Sequence, residues 1–248
     1  MILKKWLKTP EVEFFCDKDD FNVIPPPIPA RKFIPTWYKN LPPKIEGKDK
    51  LENSTIKRCM PFLDAMNAGW IIPLAADVEI LTNDNASGVT YKTLFHKSMI
   101  ENHSPSQLNP PEGPPHPTSP KPPMKFLNYW MIRMPKGYSA LFVPPLNRAD
   151  PRFTCISGLV DDSYMGTEAL EYINFPFVFN IPNYTGIIKA GTPLVQMIPI
   201  KRDSILKSSR KVNIREATQK DWNQVNLTRA RRRSHESYYK DHLRDNNK

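Results

Sequence analysis

Proline, more than any other feature, limits what this chain can become. Its 248 residues include 27 prolines and 9 glycines. Each proline removes a backbone donor and clashes with the turn before it, so long uninterrupted helices, and with them a helical bundle, are disfavoured. The prolines cluster. Pro25-Pro26-Pro27-Ile28-Pro29, Pro35 and Pro42-Pro43 punctuate the start, and a second set from Pro105 to Pro123 lies among Ser, Asn and Lys. Both proline and its predecessor are held in extended or turn conformations. Residues 1–53 therefore read as an extended arm that packs Trp37 and Tyr38 on a body, with a polyproline ligand as the alternative. Residues 102–123 cannot build a core of their own and read as an insertion draped over the surface, the alternative being a functional lid.

What remains is enough for one core, since 40% of the chain is hydrophobic, and the length allows one to two domains. No stretch approaches the roughly 20 apolar residues of a bilayer span. The opening Met1-Ile2-Leu3-Lys4-Lys5 has too short an apolar run for a signal peptide. The expectation is a soluble protein that is not exported and does not enter a membrane. Cys16, Cys59 and Cys155 are odd in number and without CxxC spacing, so they read as reduced thiols rather than a disulfide or zinc framework. The five histidines form no HExxH pattern.

The body, taken as residues 54–200, begins with a segment that predicts one helical turn and two strands, Met60-Pro61-Phe62-Leu63 and then Gly69-Trp70-Ile71-Ile72 and Val78-Glu79-Ile80-Leu81. From Met124 to Ile200 come short apolar or alternating runs broken by turn residues: Tyr129–Ile132, Ser139–Val143, Phe153–Val160, Phe175–Phe179 and Pro193–Ile198. Close spacing of this kind predicts a mainly β barrel or sandwich.

The formal net charge is +10, and residues 201–248 contain fourteen Lys and Arg against six Asp and Glu, a balance of +8. The excess is thus an appendage on a near-neutral body, a tail suited to phosphates, an acidic partner or water alone. Thr218-Gln219-Lys220-Asp221 has capping-box spacing and predicts a basic helix, with Arg229, Arg231, Arg232 and Arg233 in its densest run. A solvated face and a nucleic-acid contact are both open for that run.

The stretch that could carry chemistry is Gly158-Leu159-Val160-Asp161-Asp162-Ser163-Tyr164-Met165-Gly166. Adjacent carboxylates can hold a divalent metal or position a water, yet Asp-Asp-Ser is also ordinary turn chemistry. This nonapeptide resembles the trimeric dUTPase motif Gly-Leu-Ile-Asp-Ser-Asp-Tyr-x-Gly through Asp161, Tyr164 and Gly166. An asparagine that ends the family's next strand is matched by Asn174. Gly191-Thr192-Pro193-Leu194-Val195-Gln196 matches a later motif in spacing, Pro135–Tyr138 with Pro144-Pro145 is similar to the lead-in of a third, and Ala68–Ile80 to the first. The likeness covers about residues 66 to 200.

The resemblance implies a dUTPase-like β-clip barrel, shared with dCTP deaminases, and a homotrimer with its sites between subunits. It implies that Asp161 orients the attacking water, that Tyr164 packs on deoxyribose, that Gln196 lies near phosphates, and that magnesium assists if the protein is a nucleotide enzyme. Asp162 joins the ligand-binding set. Where the family has Arg-Ser-Gly this chain has Pro145-Leu146-Asn147, with Arg148 alone close enough to compensate. Ile71 stands for the first motif's aspartate, and no glycine-rich closing motif follows Ile200. These departures weigh against hydrolysis, because phosphoryl chemistry rests on positioning and charge. The expectation is therefore binding of a nucleotide or similar phosphorylated ligand. The competing expectation is a non-enzymatic structural or host-interaction protein that uses the arm and tail.

A second resemblance rests on Ile34-Pro35-Thr36-Trp37-Tyr38-Lys39, Lys57 to Ala65, Phe142 to Arg148 and Gly191 to Pro199. Together they look like an uncharacterised family of tailed-phage proteins, notably of marine myoviruses, with bacterial relatives. It implies a setting in the cytoplasm of an infected cell or in the virion.

Overall fold

The computed structural model of the chain describes residues 12–47, 50–86, 88–103, 123–161, 172–208, 213–235 and 238–244. Most of the proline-rich insertion, together with Asp162, Tyr164 and Gly166, lies outside them. The protein is mainly β, with several antiparallel sheets that do not close into a barrel among the described residues.

The amino-terminal region is built from short pieces, as its prolines demand. Strand β1 (Glu13–Phe15) is followed by β2 (Ile28–Pro29), a 3-10 turn over Ala30–Phe33, helix α1 (Thr36–Asn40) and the hairpin β3 (Lys44–Glu46) and β4 (Glu52–Ser54). Tyr38 is buried and stacks on Phe62, with ring centroids 5.8 Å apart. Trp37 stays half-exposed and meets both rings edge-on.

Helix α2 (Met60–Asn67) leads into β5 (Trp70–Pro73), β6 (Val78–Thr82) and β7 (Val89–Lys92), so this segment holds a two-turn helix and three strands, not one turn and two strands. Next come β8 (Ile100–Asn102), β9 (Met124–Phe126), β10 (Met131–Arg133) and β11 (Tyr138–Val143). The run Phe153–Val160 is divided into β12 (Phe153–Cys155) and β13 (Gly158–Val160). The break is a change of sheet: the Ile156 N–H still donates to the Pro176 carbonyl at 2.7 Å, in line with the pairing of Cys155 to Phe177, and from Gly158 the chain pairs with Phe142 of β11 instead. The body ends with β14 (Phe175–Phe179), β15 (Thr185–Ile188) and β16 (Pro193–Lys201).

Two sheets make the core. One has the order β13-β11-β16-β5-β2 and the other β12-β14-β9-β8. Alternation along the strands turns Ala140, Phe142, Val195 and Met197 of the first, and Phe126, Phe153, Phe177 and Phe179 of the second, into one buried cluster. Phe142 meets Phe175 at 5.6 Å across the two sheets, and Phe126 stacks on Phe177 at 3.8 Å. Each such ring contributes on the order of 2–3 kcal/mol by leaving water. Gly69, between α2 and β5, has φ +67°, and a Cβ there would stand 1.9 Å from the Met197 carbonyl oxygen. Only glycine permits that crossing.

After β16 the chain forms α3 (Arg202–Ser208) and α4 (Gln219–Ser234). Thr218 caps α4 in a full capping box: its hydroxyl accepts from the Asp221 N–H, and the Asp221 carboxylate accepts from the Thr218 N–H. None of the residues of α4 is buried. The tail returns to the body at its end, where Arg244 forks onto the Asp64 carboxylate.

Candidate functional site

The segments singled out by sequence converge in one sheet. β5, β11, β13 and β16 carry the four motif-like stretches, and they lie side by side in the order β13-β11-β16-β5. Gly158 pairs with Phe142 and Val160 with Ala140 on the sheet edge. Neither a positive φ nor a close contact requires glycine at 158. Asp161 follows directly, half-exposed, and its carboxylate is ion-paired with Arg202. Arg202 is in turn anchored through its N–H to the Gly137 carbonyl at 2.9 Å.

Asp161 and Gln196 are not brought together within the chain. Val160 is level with Ala140 and Gln196 with Val143, so Asp161 lies beside Ser139, roughly 13 Å away along the strand direction alone. Asn174 precedes β14 instead of ending a strand, and its side-chain oxygen accepts from the Asn128 N–H at 3.1 Å.

Gln196 and Arg148, by contrast, meet. Gln196 is fully buried on β16. Its amide nitrogen donates to the carbonyls of Ala65 at 2.8 Å and Ala68 at 2.6 Å, while its oxygen accepts from the Leu146 N–H at 3.0 Å and from Arg148 Nη2 at 3.5 Å. Arg148 donates from Nη2 to the Met66 carbonyl at 2.6 Å and from Nη1 to the Ala30 carbonyl at 3.1 Å. The last carbonyls of a helix have no partner within it. Gln196 and Arg148 supply those partners for α2, and a cation at this end also meets the helix dipole favourably. Asn147, at φ 60°, completes the turn and donates to the Phe62 carbonyl at 3.1 Å. Asparagine tolerates this left-handed geometry better than most residues. The stretch that replaces Arg-Ser-Gly is thus a clamp on α2.

Arg148 is also the least usual charge in the body. Among the described residues its hydrogen-bond partners are all neutral, and its Nε is buried without one. Burial pushes the guanidinium down to about 10, still protonated at neutral pH. It lines a cavity of about 420 Å³ with Ile28, Lys32, Phe33, Ile34 and Thr36. Two cations and a hydroxyl therefore face an apolar wall, a combination that takes an anion carried on a ring or other apolar group. Lys32 and Thr36 were not among the expected site residues. The available signal was Ile34-Pro35-Thr36, which the second resemblance contains.

A separate charged cluster ties the arm to the body. Asp20 is fully buried and accepts from Lys97 Nζ at 2.6 Å; Asp17 accepts from the same nitrogen at 2.9 Å. These two carboxylates hold the Lys97 ammonium well above its usual range, and Tyr172 donates to Asp17 at 3.3 Å. Every carboxylate here serves a lysine, which makes the cluster a fastening.

Among the described residues no group of three or more His, Cys, Asp or Glu side chains is arranged to hold a metal ion, and none of their helices is long and apolar enough to cross a membrane. Asp161, engaged by Arg202, does not fit a magnesium ligand as it stands. The cysteines are free thiols, with Cys155 buried and its proton held tightly by desolvation. Fold and site together define a class, a mainly β protein with several antiparallel sheets and a partly buried arginine that lines a cavity and has no carboxylate partner among the described residues. Neither a protein-family model nor a curated protein matches the sequence.

Proposed function

We propose that this protein binds a nucleotide or a similar small phosphorylated ligand, without hydrolysing it, on a diverged dUTPase-like scaffold. The observation that carries the reading is Arg148: a guanidinium with no carboxylate partner, at a cavity with Lys32, Thr36 and an apolar wall. A phosphate there gains charge-assisted hydrogen bonds from a planar donor already fixed in place. Support for the scaffold comes from the four motif-like stretches sharing one sheet. The same reading makes the protein a homotrimer with its sites between subunits. It makes the body a unit from 54 to 200 with an arm and a tail.

Support for a tailed-phage setting, in an infected cell or the virion, comes from the four stretches of the second resemblance meeting around Arg148. Thr36 lines its cavity, Ala65 accepts from Gln196, and Gln196 touches Arg148. Against hydrolysis stands Asp161, whose carboxylate serves Arg202. The second reading, a non-enzymatic structural or host-interaction protein, is favoured by a basic helix that the body does not bury.

Thermal denaturation with a panel of deoxynucleotides, with and without magnesium, tests the proposal. A ligand at about 100 times its Kd adds about 2.7 kcal/mol of stability, which raises Tm by several degrees in a chain of this size. Lys32→Ala should abolish the shift and leave the unliganded Tm unchanged, whereas Asp161→Asn should retain it. A panel in which nothing raises Tm overturns the reading in favour of the structural one. Release of pyrophosphate would overturn the non-hydrolytic part.

A further inference from the structure

The end of α4 approaches the start of α2, and a cavity of about 260 Å³ lies between them. Arg58 lines it from the body, and Arg232, His235, Tyr238 and Tyr239 line it from the tail. Two carboxylates near it are engaged: Asp64 holds Arg244, and Asp241 holds His235 at 2.9 Å. The Arg232 guanidinium lies 5.9 Å from the Tyr239 ring centre, and Arg231 donates to the Tyr238 hydroxyl at 3.4 Å. Among the described residues, Arg229, Arg231, Arg232 and Arg233 form no ion pair with a carboxylate.

Trp222, Val225, Arg229 and Arg232 recur at spacings of three or four, so they lie along one face of α4 that ends at this cavity. Trp222 and Val225 remain open to solvent, 49% and 38% exposed. None of α4 is buried, so this aromatic keeps much of its ring open to solvent, and guanidinium groups continue its line.

We propose that this face and the cavity at its foot form a track for single-stranded nucleic acid, with backbone phosphates along Arg229 and Arg232 and bases stacked on Trp222 and beside Tyr239. Single strands present both phosphates and free base faces, and proteins that hold them combine cationic grooves with aromatic platforms. A duplex or an acidic polypeptide would use the cations and leave the aromatics idle. The inference is independent of the ligand assigned to the Arg148 cavity, because the two cavities share no lining residue.

The test is fluorescence anisotropy of a labelled oligothymidylate of about twenty nucleotides with the full chain across a salt series. Affinity should fall linearly on a log–log plot, by about 0.7 in slope for each phosphate neutralised. Arg232→Glu and Arg229→Gln should each weaken binding about ten-fold and flatten that slope. Trp222→Ala should weaken it by a similar factor with the slope kept, since stacking releases no counterions. Arg133→Gln, altering a guanidinium that pairs with Glu13 elsewhere on the body, should change nothing, and melting curves confirm that each variant is folded. Absence of binding at about 50 mM salt overturns the proposal. So does unchanged affinity in Arg232→Glu. A Trp222→Ala variant that binds normally, with polyglutamate displacing the oligonucleotide at equal charge, replaces it with an acidic protein partner.

Discussion

Arg148 and the arginines of α4 carry the same group into opposite surroundings. In the body the guanidinium is half-buried, pushed down to about 10 by desolvation, and spread over the carbonyls of Ala30 and Met66 and the amide of Gln196. In the tail Arg229, Arg231, Arg232 and Arg233 sit on a helix with no buried residue. A buried charge must be matched by fixed dipoles, so it becomes part of the architecture. An exposed one keeps its hydration, acts at a distance and is screened by salt. The net charge of +10 counts both alike, although a buried guanidinium acts only on what touches it and an exposed one acts at a distance.

The strongest way to break the body side is at the backbone crossing that seats Gln196. Gly69→Ala puts a methyl group against the Met197 carbonyl and asks alanine for a left-handed φ. The expected loss is on the order of 4 kcal/mol or more, read by urea denaturation, because strain and overpacking add. Less drastic, Arg148→Ala strips partners from two buried carbonyls and from Gln196. At about 1–3 kcal/mol for each group left unsatisfied, the loss should reach about 3 kcal/mol. Arg232→Ala should stay within about 0.5 kcal/mol. Equal costs for the two arginines, in the same denaturation experiment, would erase the contrast between them.

How much of this was legible beforehand depends on the reach of each interaction. The capping box at Thr218 and Asp221 is three residues long, so its spacing alone announced it, and the structure contains both of its bonds. The alternating runs from Met124 onward became strands for the same local reason. Gln196 is different. Its partners Ala65 and Ala68 are 131 and 128 residues away, and no pattern along the chain ties a glutamine to a helix end that distant. Its position in a family-like motif drew attention to it without disclosing the clamp on α2. Phe153–Val160 looked like one strand because its apolar character is continuous, yet its first half pairs with β14 and its second with β11 of the other sheet, which divides it. Lys32 and Thr36 left no chemical signature at all, since they matter only once the turn at Ala30–Phe33 sets them beside Arg148.

The smallest effect separates the two regions by pH. Hydrogen bonds from Arg215, and then from the Thr218 hydroxyl and N–H, hold the Asp221 carboxyl well below its ordinary range. A carboxylate whose folded pKa is depressed contributes stability that is fully present above its unfolded value of about 3.9 and is lost as pH falls toward the folded one. The start of α4 should therefore be unchanged from pH 8 to about 5 and fray progressively below about 4. Hydrogen exchange at the Trp222 amide, which donates to the Thr218 carbonyl at 3.1 Å, reports it directly. Asp221→Asn should remove the dependence and leave exchange at Gln196 untouched. For Arg148 the direction with pH is the same, but the window lies far higher and what the shift records is a cost. Burial lowers its pKa, so its desolvation cost is relieved only above about pH 10. Acid that loosens the first turn of α4 should thus leave the Arg148 clamp on α2 intact, and simultaneous loss of both would mean that the tail's cap and the body's clamp are one cooperative unit.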